Sequence, residues 1–184
     1  MNGTAKSPVS FRASVLRLPK KGMPLEIDAG PEQRAALARE HGLLDVKRFH
    51  ADLVVSPWKR DGVSVSGRVE GDIVQECVVT LEPIDAHIEE DISAVFIPEG
   101  SNLGRFDHLS TGEMILDPEG PDMPESFAGT SIDVGALAEE FFALGIEPYP
   151  HKEGIEPFAG TDVEEESRPL GTLAEKLAAL KRKG

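Results

Sequence analysis

Between Val46 and Ile97 apolar and polar residues alternate with a period of two, the spacing that puts one set of side chains on each face of a β-sheet. Phe49, Ala51, Leu53 and Val55 alternate with Arg48, His50 and Asp52. The Asp61-Gly62 pair is a hairpin signal, and Val63, Val65 and Val69 continue the pattern beyond it. Glu70-Gly71-Asp72 reads as a second turn. Ile73, Gln75, Cys77, Val79 and Leu81 share the next face as far as Pro83, and Ile84, Ala86, Ile88, Ile92, Ala94 and Phe96 form the last row. The pattern predicts four consecutive strands joined by short turns, which is an antiparallel meander or a partly closed barrel.

The flanks change period. Residues 10–18 (SFRASVLRL) alternate loosely and read as a strand, and residues 25–29 as a second short one. Pro31 opens PEQRAALAREHG at a favourable first-turn position, with Gly42 as the stop and Leu37 as the apolar anchor of a short helix. Residues 99–130 are rich in Gly, Pro and acids and lack a steady period. Asp133 is then placed to cap a helix whose Leu137, Phe141 and Leu144 recur three or four apart, and Glu147-Pro148-Tyr149-Pro150 ends it. In the final stretch, RPLGTLAEKLAALKRKG, Leu170, Leu173, Leu177 and Leu180 recur at heptad-like spacing before Lys181, Arg182 and Lys183. The expected fold is therefore α+β, with a sheet covered by helices, a long acidic loop and a C-terminal helix. Residues 1–150 would form one domain, with the acidic loop at about 98–130, and residues 151–184 an acidic linker and amphipathic helix.

Charge sharpens this outline. Of the formal net charge of −14, the whole excess falls between residues 98 and 168, where 17 acids face only Arg105, Lys152 and Arg168. Such a segment is either a solvated acidic stretch or an arm for a basic partner. A single cysteine excludes an intramolecular disulfide and points to a reducing compartment. The first residues lack the apolar core of a signal peptide, and no run approaches the roughly 18 apolar residues that span a membrane. The chain reads as cytoplasmic.

Candidate chemistry is sparse. Cys77 lies among Ile73, Gln75, Val79 and Leu81, a row in which a free cysteine acts as a small hydrophobe. Structural zinc wants four Cys or His ligands with close pairs, whereas the five histidines are scattered around one cysteine, so no metal site is expected. Glu89-Glu90-Asp91 and Glu139-Glu140 are adjacent acids, which diverge on a strand or a helix. Neither a Walker loop nor a dinucleotide fingerprint occurs, and no cofactor is expected. The C-terminal leucines need something to pack on, either their own sheet or a partner's groove, because an isolated helix of that length is marginal in water. Lys181, Arg182 and Lys183 suit a helix C-terminus, and equally suit phosphates.

Three blocks give the chain a family likeness. The first is Glu76-Cys77-Val78-Val79-Thr80-Leu81-Glu82-Pro83, the second runs from Ile132-Asp133-Val134 through Glu139 and Glu140 to Pro148 and Pro150, and the third is the tail at 169–183. In this order they resemble the YceD family, the large ribosomal RNA subunit accumulation proteins of bacteria and plastids. The family's first block carries Cys-x-x-Cys, where this chain has Thr80 as the second member. Many members also have a cysteine after the motif at Pro148-Tyr149-Pro150, and this chain has none. A metal or redox role resting on those cysteines does not carry over. The resemblance implies a non-enzymatic factor in large-subunit ribosomal RNA accumulation, with a ribosomal protein, the large-subunit RNA precursor, or both as partners. Competing expectations are an RNA-processing enzyme working through carboxylates such as Glu139 and Glu140, and an acidic protein that mimics nucleic acid.

Overall fold

The computed structural model describes residues 6–101, 124–152 and 154. In chain order the elements are β1 (Arg12–Ser14), β2 (Met23–Asp28), α1 (Pro31–Glu40), β3 (Asp45–Trp58), β4 (Gly62–Glu76), β5 (Pro83–Pro98), β6 (Glu125–Phe127), β7 (Ser131–Asp133) and α2 (Val134–Leu144). Five strands make one sheet in the order β2-β3-β4-β5-β6, antiparallel except for the short parallel pair β5–β6. β1 and β7 form a separate two-stranded antiparallel ribbon. The architecture is a helix-covered α+β meander, and among the described residues the sheet does not close into a barrel.

The alternation is realised in three long strands rather than four shorter ones. The stretch read as a turn, Glu70-Gly71-Asp72, runs straight through the middle of β4. Gly71 is there for close packing. A Cβ at this position would lie 2.4 Å from Cε2 of Phe142, so only glycine lets the α2 ring rest on the sheet. The predicted strand at 10–18 contracts to the three residues of β1. Part of the expected loop at 98–130 is ordered as β6, while residues 102–123 lie outside the described part of the chain.

Inward-facing residues of β2–β5 form one core with the apolar sides of the two helices. Phe49, Leu53, Val55, Val65, Val69 and Ile73 are at most 1% exposed. α1 covers one side through Leu37 and Ala38, as expected from its sequence. Its first turn is closed by Gln33, whose side-chain oxygen accepts from the Gly30 amide at 2.9 Å while its NH2 donates to the Pro8 carbonyl. α2 lies over β4 and β5 and buries Leu137, Ala138 and Phe142. Phe142 meets Phe49 edge-to-face at 5.2 Å between ring centroids, and the His41 ring at 6.0 Å.

Candidate interaction surfaces

At the end of the sheet where β4 turns into β5, residues 77–82 form a compact loop instead of continuing the strand. The Cys77 amide donates to the Glu82 carbonyl and the Leu81 amide to the Cys77 carbonyl, both at 2.9 Å. The exit from α2 closes over this loop. Val78 donates its amide to the Pro150 carbonyl at 2.9 Å, Lys152 pairs with Glu82, and the Gln75 side chain donates to the Glu147 carbonyl at 2.7 Å.

Cys77 has no exposed surface, yet it stands apart from the contiguous core. It lies one residue past the end of β4, and Val79 and Leu81 point outward, so the apolar row expected from Ile73 to Leu81 ends at Gln75. The sulfur is enclosed by hydrogen-bond donors. The Thr80 hydroxyl and amide, aided by the amides of Val79 and Lys152, bring the thiol down to about 7 against the opposing effect of burial. Ionisation without access gives a testable pairing. Because the loop must open before a reagent reaches Cys77, an opening cost of at least about 1.4 kcal/mol makes alkylation at pH 8 at least about tenfold slower than in the unfolded chain. Reaction at the unfolded-chain rate would show that the loop does not shield the sulfur.

Large apolar side chains are exposed at the same end. Leu44, whose amide donates to the Val74 carbonyl, joins Val78, Val79 and Leu81 of the loop and Tyr149 of the α2 exit. Leu81 and Tyr149 are each about two-thirds or more exposed. Leu81 also holds a left-handed backbone, with φ of 58°. That conformation costs a β-carbon-bearing residue about 1–3 kcal/mol, and the side chain it carries is exposed.

The carboxylates of α2 serve different purposes. Asp133 caps the helix through the Ala136 amide at 3.0 Å and also accepts from the Phe11 amide and the Ser10 hydroxyl. Glu139 is buried and bound to His41 at 3.0 Å, tying the end of α1 to α2. Glu140 is raised above the usual carboxylate range, first by burial and then by the neighbouring charges of Glu125 and Glu139. The two adjacent acids therefore do not converge on a common point. Leu170, Leu173, Leu177, Leu180, Lys181, Arg182 and Lys183 lie outside the described residues, as does most of the acidic segment. Pro83 is the first residue of β5, where its missing N–H is tolerated.

The opposite face of the sheet is open and charged. Register places Glu26, Asp52, Arg68 and Asp91 side by side across β2–β5, with Asp28, His50, Glu70 and Glu89 in the next row. Arg68 bridges Glu89 and Asp91, Arg48 pairs with Glu70, and His87 with Asp72. Acids outnumber bases on this face, although the surrounding sequence is neutral. Alternation foretold a polar face, but the cross-strand rows needed the register. Glu26, His50 and Asp52 bring potential ligand atoms within 4.8 Å of one another, the one such grouping of His, Cys and acids among the described residues. His50 is pushed up, chiefly by the Asp28 carboxylate, against the opposing effect of burial and with Asp52 adding to the rise. Both ring nitrogens are taken by those carboxylates, which makes the group an ion-pair cluster.

The described domain thus combines an acidic open sheet face with an exposed apolar loop end. The chain belongs to the YceD family: residues 65–181 match the family model described as "Large ribosomal RNA subunit accumulation protein YceD". The match begins within β4 and takes in the Cys77 loop, β5, α2 and the C-terminal leucines. No curated protein and no solved structure matches the chain. Thr80 and the segment after Pro150, the places where the sequence departs from the family's cysteine pattern, both face the Cys77 sulfur. No helix among the described residues is long and apolar enough to cross a membrane.

Proposed function

We infer that this protein supports accumulation of large-subunit ribosomal RNA in the cytoplasm as a binding factor without catalytic activity. The observation that carries this reading is the family match, whose span takes in the Cys77 loop, α2 and the tail. The partner is a basic ribosomal protein, the large-subunit RNA precursor, or both. Acids on the open sheet face and in the segment at 98–168 attract the protein partner, and potentials of that sign raise association rates with a basic surface. The C-terminal leucines and Lys181–Lys183 make the second contact. Removing residues 170–184 is expected to abolish co-sedimentation with large-subunit precursors; undiminished association would take the tail out of the mechanism.

The enzymatic alternative would place acid–base work on Glu139 and Glu140. Glu139 is already engaged by His41 under the helix, which supports the binding reading. Replacing both by glutamine tests the alternative directly, since metal-dependent cleavage of ribosomal RNA by the purified protein, lost in the variant, would overturn the reading. Recovery of nucleoid proteins or nucleases in place of ribosomal proteins in a pull-down would favour the nucleic-acid mimic.

A further inference from the structure

We propose that the apolar loop end of the domain is the docking site for the protein's own C-terminal segment, with Leu170, Leu173, Leu177 and Leu180 lying on Val78, Val79, Leu81 and Tyr149. Three observations converge on this occupant. The exposed side chains come from two segments that are hydrogen-bonded to each other, the Cys77 loop and the α2 exit, through Val78 and Pro150. The chain leaves the described domain at that same place, because Lys152 is anchored to Glu82. The residues that follow carry the leucine stripe, which needs an apolar surface to be stable as a helix.

Reach and charge agree with this arrangement. A connection of the length of residues 155–169 would have a root-mean-square span of about 20 Å if it behaved as a random coil. A tether of that length holds the leucines near the loop end at an effective concentration of about 1 mM, so even a contact of millimolar affinity is half occupied. Around the apolar side chains, Asp45, Glu76 and Glu147 have no cationic partner among the described residues, and Lys181, Arg182 and Lys183 supply the complementary charge. Leu81 fits the role of a central contact, since its left-handed backbone carries an apolar side chain that is exposed on the loop.

In the free protein the leucines would then be covered by their own domain, and a ribosomal partner that takes the tail would have to compete for it. The docking is independent of which partner that is, and it stands or falls without any ribosomal assay. The test is NMR on the full chain carrying Leu173→Asp and Leu177→Asp together, both outside the described residues. The expected result is movement of the Val78, Val79, Leu81 and Tyr149 resonances, with those of β2 and β3 unchanged. Conversely, Leu81→Asp should move the resonances of residues 170–180. Changes confined to the tail, or mapping to another part of the domain, would overturn the proposal. So would patch resonances that shift with protein concentration in the parent chain, which would assign the patch to a second copy.

Discussion

Replacing Phe142 by alanine is expected to destabilise the domain by about 3–5 kcal/mol, the range for truncating a fully buried phenylalanine. The ring has no exposed surface and joins three elements: it packs on Phe49 of β3, lies against the His41 ring beyond α1, and covers the bare backbone of Gly71 in β4. None of these can close the gap cheaply, since β3 and β4 are locked by their ladder and Gly71 has no side chain to move. Total stabilities of single domains are about 5–15 kcal/mol, so the loss takes a large share. Urea unfolding followed by circular dichroism measures it, and a loss under about 1 kcal/mol would mean that α2 is not held through this ring. Gly71→Ala should also be destabilising, by bringing a methyl group into the ring, and Phe142→Leu should relieve part of that cost.

Gly71 also shows where the sequence misleads. Glu-Gly-Asp between two apolar runs has the composition of a turn, and local chemistry alone favours that reading. The competing reason for a glycine, room for a side chain 71 residues further on, is invisible until α2 is placed. The alternation itself survived intact: from Phe49 to Val55, from Val63 to Ile73 and from Ile88 to Phe96 the predicted inward residues line the core, because one buried face penalises any slip of register. Helix α1 was legible for a similar reason. Its Pro31 and Leu37 act locally, and Gly42, with φ of 66°, is the left-handed stop after it.

The candidate surfaces were less legible. Cys77 is buried as its apolar neighbours imply, but what buries it is its own loop and the chain after Pro150, contacts separated by more than 70 residues. Extending the period of two past Glu76 put Val79 and Leu81 inside, whereas the loop turns both outward. A signal was available in Pro83: the strand that begins there needs a reversal before it, and residues 77–82 are the only ones that can supply it. The acidic sheet face is invisible to formal charge summed along the chain. Neutral stretches become acidic faces once register sorts their bases to other surfaces.

Asp133→Ala is expected to cost about 2 kcal/mol at pH 7, combining a helix cap worth about 1 kcal/mol with two further bonds that cross from the N-terminal segment. The carboxylate accepts from the Ala136 amide inside α2, and from Ser10 and the Phe11 amide more than 120 residues earlier in the chain. It therefore closes the ribbon of β1 and β7 onto the start of the helix. The sequence foretold the cap; the link to Ser10 and Phe11 belongs to the tertiary fold. Burial alone would raise the acid, but the Ser10 hydroxyl and the two amides outweigh it, and the carboxyl ends below its usual value of 3.8. A depressed carboxylate stabilises the fold above its unfolded pKa, and that contribution disappears as pH falls through the folded value. The stability difference between the parent protein and Asp133→Ala should accordingly be flat from pH 7 to about pH 5 and shrink on acidification below about pH 4. Asp133→Asn keeps one acceptor oxygen but no charge, so at pH 7 it should fall between the two. A gap that stayed constant down to pH 2 would show that the residue acts through packing, and that its ionised oxygens are not what hold the N-terminal segment to α2.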